Sequence, residues 1–409
     1  MTASTCRWFL TVGVVAVGCA AQAATIDKTN NVDNLNLTTS WKGGVTPKVN
    51  DVARWGNLVT GPNAVLLGSG LSYQGIQIVN PGGAVAIGGD TTLTNGFQGL
   101  NLATAQVDLT LTNANLYLLD YAGQVWNVTN SRMLTVSPTA LARGANATFG
   151  VQGAGTVASA TIANDATGLI GPWARTGTGT STKYAAVSGG NIAGYSGTPA
   201  ATAVEVTDTT GATNYDVAAV GTLGTGASFN TLRYTGAAGT LAGDFSANGL
   251  LNAGAGTETF SGNTTIGASK ELVLTSPDTT RKITLWGTVS DNGSGPSSVT
   301  VAGGGTVTMS GSNAFSGVTV VGAGTLAVSH ANALGTTSGS TIVYSTGSTS
   351  VGGQLALFGG VTVAEPVTLA GPGDGASGGY TRALDVWGGT NTLSGTVTLT
   401  GQNSYRIGA

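Results

Sequence analysis

The sequence of 409 residues predicts an all-β chain, a right-handed parallel β-helix (solenoid) with an irregular central segment. Three observations predict it. Glycine supplies 67 residues, about 16% where ~7% is usual, while charged residues make up 8% against a usual ~25%. Short apolar–x–apolar runs recur between Gly, Asn, Asp, Ser and Pro clusters, and no window shows sustained helical periodicity. Finally, Gly305-Thr306-Val307-Thr308-Met309-Ser310 returns 19 residues later as Gly324-Thr325-Leu326-Ala327-Val328-Ser329. An offset near 20 suits one turn of a solenoid whose successive turns stack about 4.8 Å apart, which would place Val307 beneath Leu326 and Met309 beneath Val328.

The same composition excludes other classes. A mean hydropathy of +0.20 with 41% hydrophobic residues is too apolar for a chain that stays disordered. Glycine without a three-residue period, and only 10 prolines, exclude a collagen helix. A net charge of −3 gives no electrostatic footprint for nucleic acid.

Taken from the N-terminus, residues 1–23 read as an export signal. Arg7 is the only charge, an apolar stretch from Trp8 to Ala21 follows, and Ala21-Gln22-Ala23 offers small residues at the cleavage positions. Cys19 in Ala16-Val17-Gly18-Cys19 also loosely resembles the lipid-attachment box of bacterial lipoproteins. Cys6 and Cys19 both lie in the signal, so the mature chain is expected to hold neither a disulfide nor a thiolate metal site.

Residues 24–150 read as N-terminal turns of the solenoid, with strands such as Ile76-Gln77-Ile78, Val85-Ala86-Ile87, Leu109-Thr110-Leu111 and Leu116-Tyr117-Leu118. Trp41 and Trp55 are expected to cap the end of the apolar interior. Residues 151–240 lack clear alternation around Gly171-Pro172-Trp173 and Lys183-Tyr184, and read as an irregular, loop-rich part of the helix. Residues 241–409 return to regular strands. About 386 mature residues wound at roughly 20 per turn would give a rod of at most ~90 Å.

At residues 303–335 the pattern resembles the autotransporter-associated β-strand repeat: Gly305, Thr306, Gly311, Asn313, Ser316, Gly317, Gly324, Thr325 and Leu326 match, with Ala314 and Phe315 in place of the usual Thr and Tyr. A second, truncated match starts at Ser394-Gly395 and reaches Tyr405. Thr39-Ser40-Trp41-Lys42-Gly43-Gly44-Val45-Thr46-Pro47 looks like the opening of such proteins, as does Gln124-Val125-Trp126-Asn127-Val128. The resemblance implies a passenger-type β-helix, secreted or held at the outer surface of a Gram-negative-type bacterium, with surface glycans or other cell-surface proteins as partners. That class carries a C-terminal membrane barrel of about a dozen strands. The chain to Ala409 shows no such strands and is expected to be a truncated piece, or to be anchored another way such as lipid at Cys19.

Because β-helices also serve as polysaccharide lyases and glycosidases, the acids need an audit. The chain has four glutamates (Glu205, Glu258, Glu271, Glu365) and fourteen aspartates, most beside turn formers. Glycoside hydrolysis needs two carboxyls roughly 5–10 Å apart. The best local cluster is Asp374, Tyr380, Arg382, Asp385 and Trp387, which mixes acids, a base and sugar-stacking aromatics. His330, the sole histidine, reads as a turn residue, and one histidine excludes a multi-histidine metal site. Gly371-Pro372-Gly373-Asp374-Gly375 superficially resembles a calcium-binding toxin repeat but occurs once. Gly303-Gly304-Gly305 lacks the Gly-Lys-Ser/Thr of a phosphate loop. The expectation is a non-catalytic structural or adhesive scaffold with no cofactor; a secreted carbohydrate-active enzyme or a carbohydrate-binding module on the same fold is the alternative.

Overall fold

A computed structural model of the chain describes residues 24–293, 295–344, 352–371, 382–400 and 407–408. The expected signal over 1–23, with Cys6 and Cys19, lies outside them. The chain winds as a parallel β-helix whose turns stack short strands into two long walls in each lobe. The in-register ladder expected between the repeats is present: Val307 pairs with Leu326 and Met309 with Val328, all fully buried. The column through the second pair runs Leu241, Phe260, Leu285, Met309, Val328, Leu357, Val386. Like residues stack because each turn repeats the backbone of the one below, so an inward position stays inward throughout the wall.

There are two such solenoids. In the first lobe, one wall is built by Thr25–Asp27, Val52–Trp55, Leu71–Ile78, Thr92–Leu102, Gly123–Val128, Thr148–Gln152 and Ala174–Thr176. The opposite wall stacks Asn63–Leu66, Val85–Gly88, Leu109–Leu111, Met133–Val136 and Thr156–Ala158. The second lobe stacks ten strands from Thr198–Ala200 to Val397–Leu399 in one wall and eight, from Gly221–Thr222 to Leu384–Gly388, in another. Each lobe has its own apolar core.

Residues 151–240 are where one lobe ends and the next begins. Lys183–Ser188 and Asn191–Gly194 form an antiparallel hairpin whose outer edges pair with Ala174–Thr176 and Thr156–Ala158, bridging the two walls. This roof occupies the unpaired strand edges that otherwise invite aggregation. The apparent irregularity stops there: from Thr198 the winding is regular again, with Thr198–Ala200, Asn214–Val217 and Ala227–Tyr234 in parallel register.

The second lobe then runs back along the first. Going up its numbering, Arg233 Nε donates to Thr182 O (2.8 Å), Glu271 pairs with Arg143 (2.6 Å), the Gly322 backbone meets Gly123, and Tyr344 packs on Phe97 with ring centroids 5.8 Å apart. The first-lobe partners descend as the second-lobe ones rise, so the two rods are antiparallel. A Cβ on Gly123 would lie 3.0 Å from Gly322 O, so the close approach of the backbones explains glycine there. The single rod of up to ~90 Å is thus corrected: with ten strands in its longest wall, the longer lobe spans roughly 45 Å.

The far end of the first lobe is closed by its own N-terminal segment. Trp41 is buried, donates its indole N–H to Leu35 O (2.7 Å) and packs edge-on against Trp55 and Tyr73. Beside it the buried Lys28 ammonium donates to Asn31 O (2.8 Å), Asn31 Oδ1 (2.6 Å) and Thr29 O (3.2 Å). These three oxygens replace the water it loses on burial.

Candidate functional site

The terminal described strand of the second lobe's eight-stranded wall, Leu384–Gly388, carries the surviving part of the predicted cluster. Leu384 points inward, which turns Asp385 and Trp387 outward. Arg382 Nη1 donates to Asp385 Oδ1 at 2.7 Å, and the backbone N–H of Val386 donates to the same oxygen at 3.0 Å. Trp387 is 50% exposed. Asp374 and Tyr380 lie outside the described residues, as does Gly371-Pro372-Gly373-Asp374-Gly375 beyond Gly371. His330 sits in a surface turn, its Nδ1 accepting from Asn332 N at 3.1 Å. Gly303 takes φ +91° at a corner where a Cβ would strike Ser276 O.

The other acids have two different placements. Most described aspartates with lowered pKa close corners. Asp291 Oδ1 accepts from Ser297 N (2.7 Å) and Ser316 N (3.1 Å), and its Oδ2 from Ser316 Oγ (2.7 Å). Asp208 accepts from the N–H groups of Thr210, Ala212 and Thr213. Burial alone would raise both carboxyls, but these donors outweigh it and hold them below the ordinary range.

Glu205 also closes a surface turn, accepting from Ala201 N and Thr202 Oγ1 at 3.0 Å each, whereas the other three glutamates are placed otherwise. Glu258 is fully buried in an inward column between Gly239 and Ile283, its carboxyl makes no side-chain hydrogen bond, and burial, only partly offset by the Leu241 backbone, pushes it up to about 8. Glu365 is also raised to about 8 by burial; Thr341 Oγ1 donates to its Oε1 at 3.0 Å. Four turns separate the two, roughly 19 Å, too far for the paired carboxyls of a glycosidase.

Glu271 joins the lobes. Arg143 grips it through two bonds, Nη1 to Oε2 at 2.6 Å and Nη2 to Oε1 at 2.9 Å, while Thr300 Oγ1 donates to Oε1 at 2.5 Å. Asn146 Nδ2 lies 3.0 Å from Glu271 Oε1, 3.0 Å from Ser298 Oγ and 2.9 Å from Thr300 Oγ1. The Arg143 guanidinium also lies 5.0 Å over the Trp173 ring. Burial would raise the Glu271 carboxyl, but Arg143 and the hydroxyl and amide donors hold it low.

Sequence reasoning missed this clasp, whose members are 128 residues apart. It also missed Trp286, 58% exposed and on the same wall as Trp387. The strands of that wall are in register in space, but the turns between them differ in length, so no sequence period links the two tryptophans.

The fold therefore defines the class, a parallel β-helix, here doubled back on itself. Compared with protein-family models, curated proteins and solved structures, the chain matches none.

Proposed function

We propose that this protein is an exported structural or adhesive scaffold of the cell surface, without catalysis, whose partners are surface glycans or other surface proteins. The observation that carries this reading is the deployment of its acids. Described aspartates such as Asp208 and Asp291 are spent on corner N–H groups, Glu271 on the clasp between lobes, and Asp385 on Arg382 and its own strand. The export-like residues 1–23 and the resemblance of 303–335 to autotransporter repeats support display outside the cell.

Incubation of the purified chain with a panel of polysaccharides and with immobilised cell envelopes tests the proposal. Adhesion without release of sugar products is expected. Release of products that stops on Asp385→Asn would replace the scaffold with a carbohydrate-active enzyme. Mass spectrometry of the exported protein should find Ala24 at its N-terminus; a mature chain beginning at Met1 would remove the basis for export.

A further inference from the structure

We propose that the outward column holding Trp286, Phe358 and Trp387 binds an uncharged polysaccharide laid along the solenoid axis. The inward column Leu285, Met309, Val328, Leu357, Val386 fixes the register. The residue after each member points outward, giving Trp286, Ser310, Ser329, Phe358 and Trp387 on five successive turns. A register shift between Leu357 and Phe358 sets Phe358 opposite Gly388, so the last two aromatics are slightly offset.

Trp286 and Trp387 thus stand four turns apart, roughly 19 Å along the axis, with Trp387 displaced sideways by the register shift. Both are half-exposed or more, whereas Trp41, Trp55 and Trp126 are fully buried in the first lobe. Indoles left in water at the ends of a flat, serine-lined strip offer π-faces to a ligand that carries C–H faces and hydroxyls together. A pyranose ring has both. An extended sugar chain advances by about one turn of the solenoid per ring, so rings stacked on Phe358 and Trp387 leave others over Ser329 and Ser310 before reaching Trp286.

Charge selects the occupant. No member of the column is ionisable, and Asp385, on the last of these strands, is neutralised by Arg382 at 2.7 Å. The five described members of the column therefore offer neither a cation for an acidic glycan nor a free anion for a basic peptide, and they complement a neutral polymer.

The inference rests on the adhesive reading above, and the test separates the two. Affinity electrophoresis of the full chain in gels containing soluble xyloglucan or mixed-linkage β-glucan, with pull-down on insoluble cellulose and chitin, should show binding to at least one of them. Trp286→Ala and Trp387→Ala should each weaken it about tenfold or more, and the double variant should abolish it. Trp387→Tyr should retain most of it. Because both side chains are exposed, the thermal midpoints should match the parent. Failure of the folded parent to bind any of the four, equal binding by the double variant, or binding of alginate alone would overturn the proposal. Adhesion to cell envelopes by the same variants reports on the broader reading: if it persists in the double variant, the scaffold stands and the column is not its contact.

Discussion

At the scale of single residues, Glu258 and Glu365 couple folding to pH. Each has a carboxyl raised to about 8 in the fold by burial, against about 4.3 in an unfolded chain. Between those values the folded state holds protons that the unfolded state has lost. Their contribution to stability is therefore complete below about pH 4.3 and is lost as pH rises toward 8. The amount is on the order of a few kcal/mol for each buried acid. Lowered carboxyls such as Asp208, Asp291 and Glu271 act in the opposite sense, but only as pH falls below about 4. The Lys28 ammonium, lowered to about 8 by burial, favours the fold as pH climbs above that value. Urea denaturation of the parent and of Glu258→Gln at several pH values from 4.5 to 8 should thus show a parent that weakens with rising pH and a variant that weakens less. Parallel curves would mean that Glu258 is ionised or solvated in the folded protein.

At the scale of the strand, the columns hold the rods together, and a fault in one turn reaches its neighbours. Leu326 lies between Val307 and Leu355 with no exposed surface. Truncation to alanine should cost about 2–5 kcal/mol, and Leu326→Asp more, because an unpaired charge is then buried. A Leu326→Asp protein that melts like its parent would show that the column is not interior. The eight-stranded wall was legible in the sequence where its outer face is wet, as in Val307-Thr308-Met309, which alternates buried, half-buried, buried; at the outward Ala327 and Ala356 that face is covered. The wall facing the first lobe is covered on both sides, so Leu272-Val273-Leu274 is apolar without interruption. Such a run announces double burial but not what lies against the second face. The Arg382–Asp385 pair was readable from a spacing of three residues. Trp286 was not, because the turns from Leu285 to Met309, Val328, Leu357 and Val386 span 24, 19, 29 and 29 residues, and no fixed period carries the register from residue 286 to 387.

At the scale of the whole molecule, the question is what keeps two solenoids side by side when each has its own core. Apolar contact contributes: Leu251 packs with Leu169 and Tyr184 of the roofing hairpin region, and Phe97 meets Tyr344. The clasp of Arg143 on Glu271 adds direction, since a two-pronged bond between mostly buried groups, with side chains 21% and 11% exposed, tolerates little sliding. A buried ion pair is costly to form and costlier to halve. Glu271→Met should leave Arg143 unpaired against the second lobe and destabilise the protein by about 3–5 kcal/mol, with Arg143→Met comparable. The double variant should recover much of the loss, because neither lone charge remains and the methionines fill similar volume. Hydrogen exchange separates this from a fault inside one rod: in the Glu271→Met protein, protection should fall first along the facing walls, around 123–128 and 271–275, while the Val307–Leu326 ladder keeps its own. Small-angle scattering of the parent should give a compact particle well short of the roughly 80 Å that one continuous stack of the same turns would reach. A rod of that length, or double-variant losses that simply add, would mean the lobes do not lie against one another through this clasp.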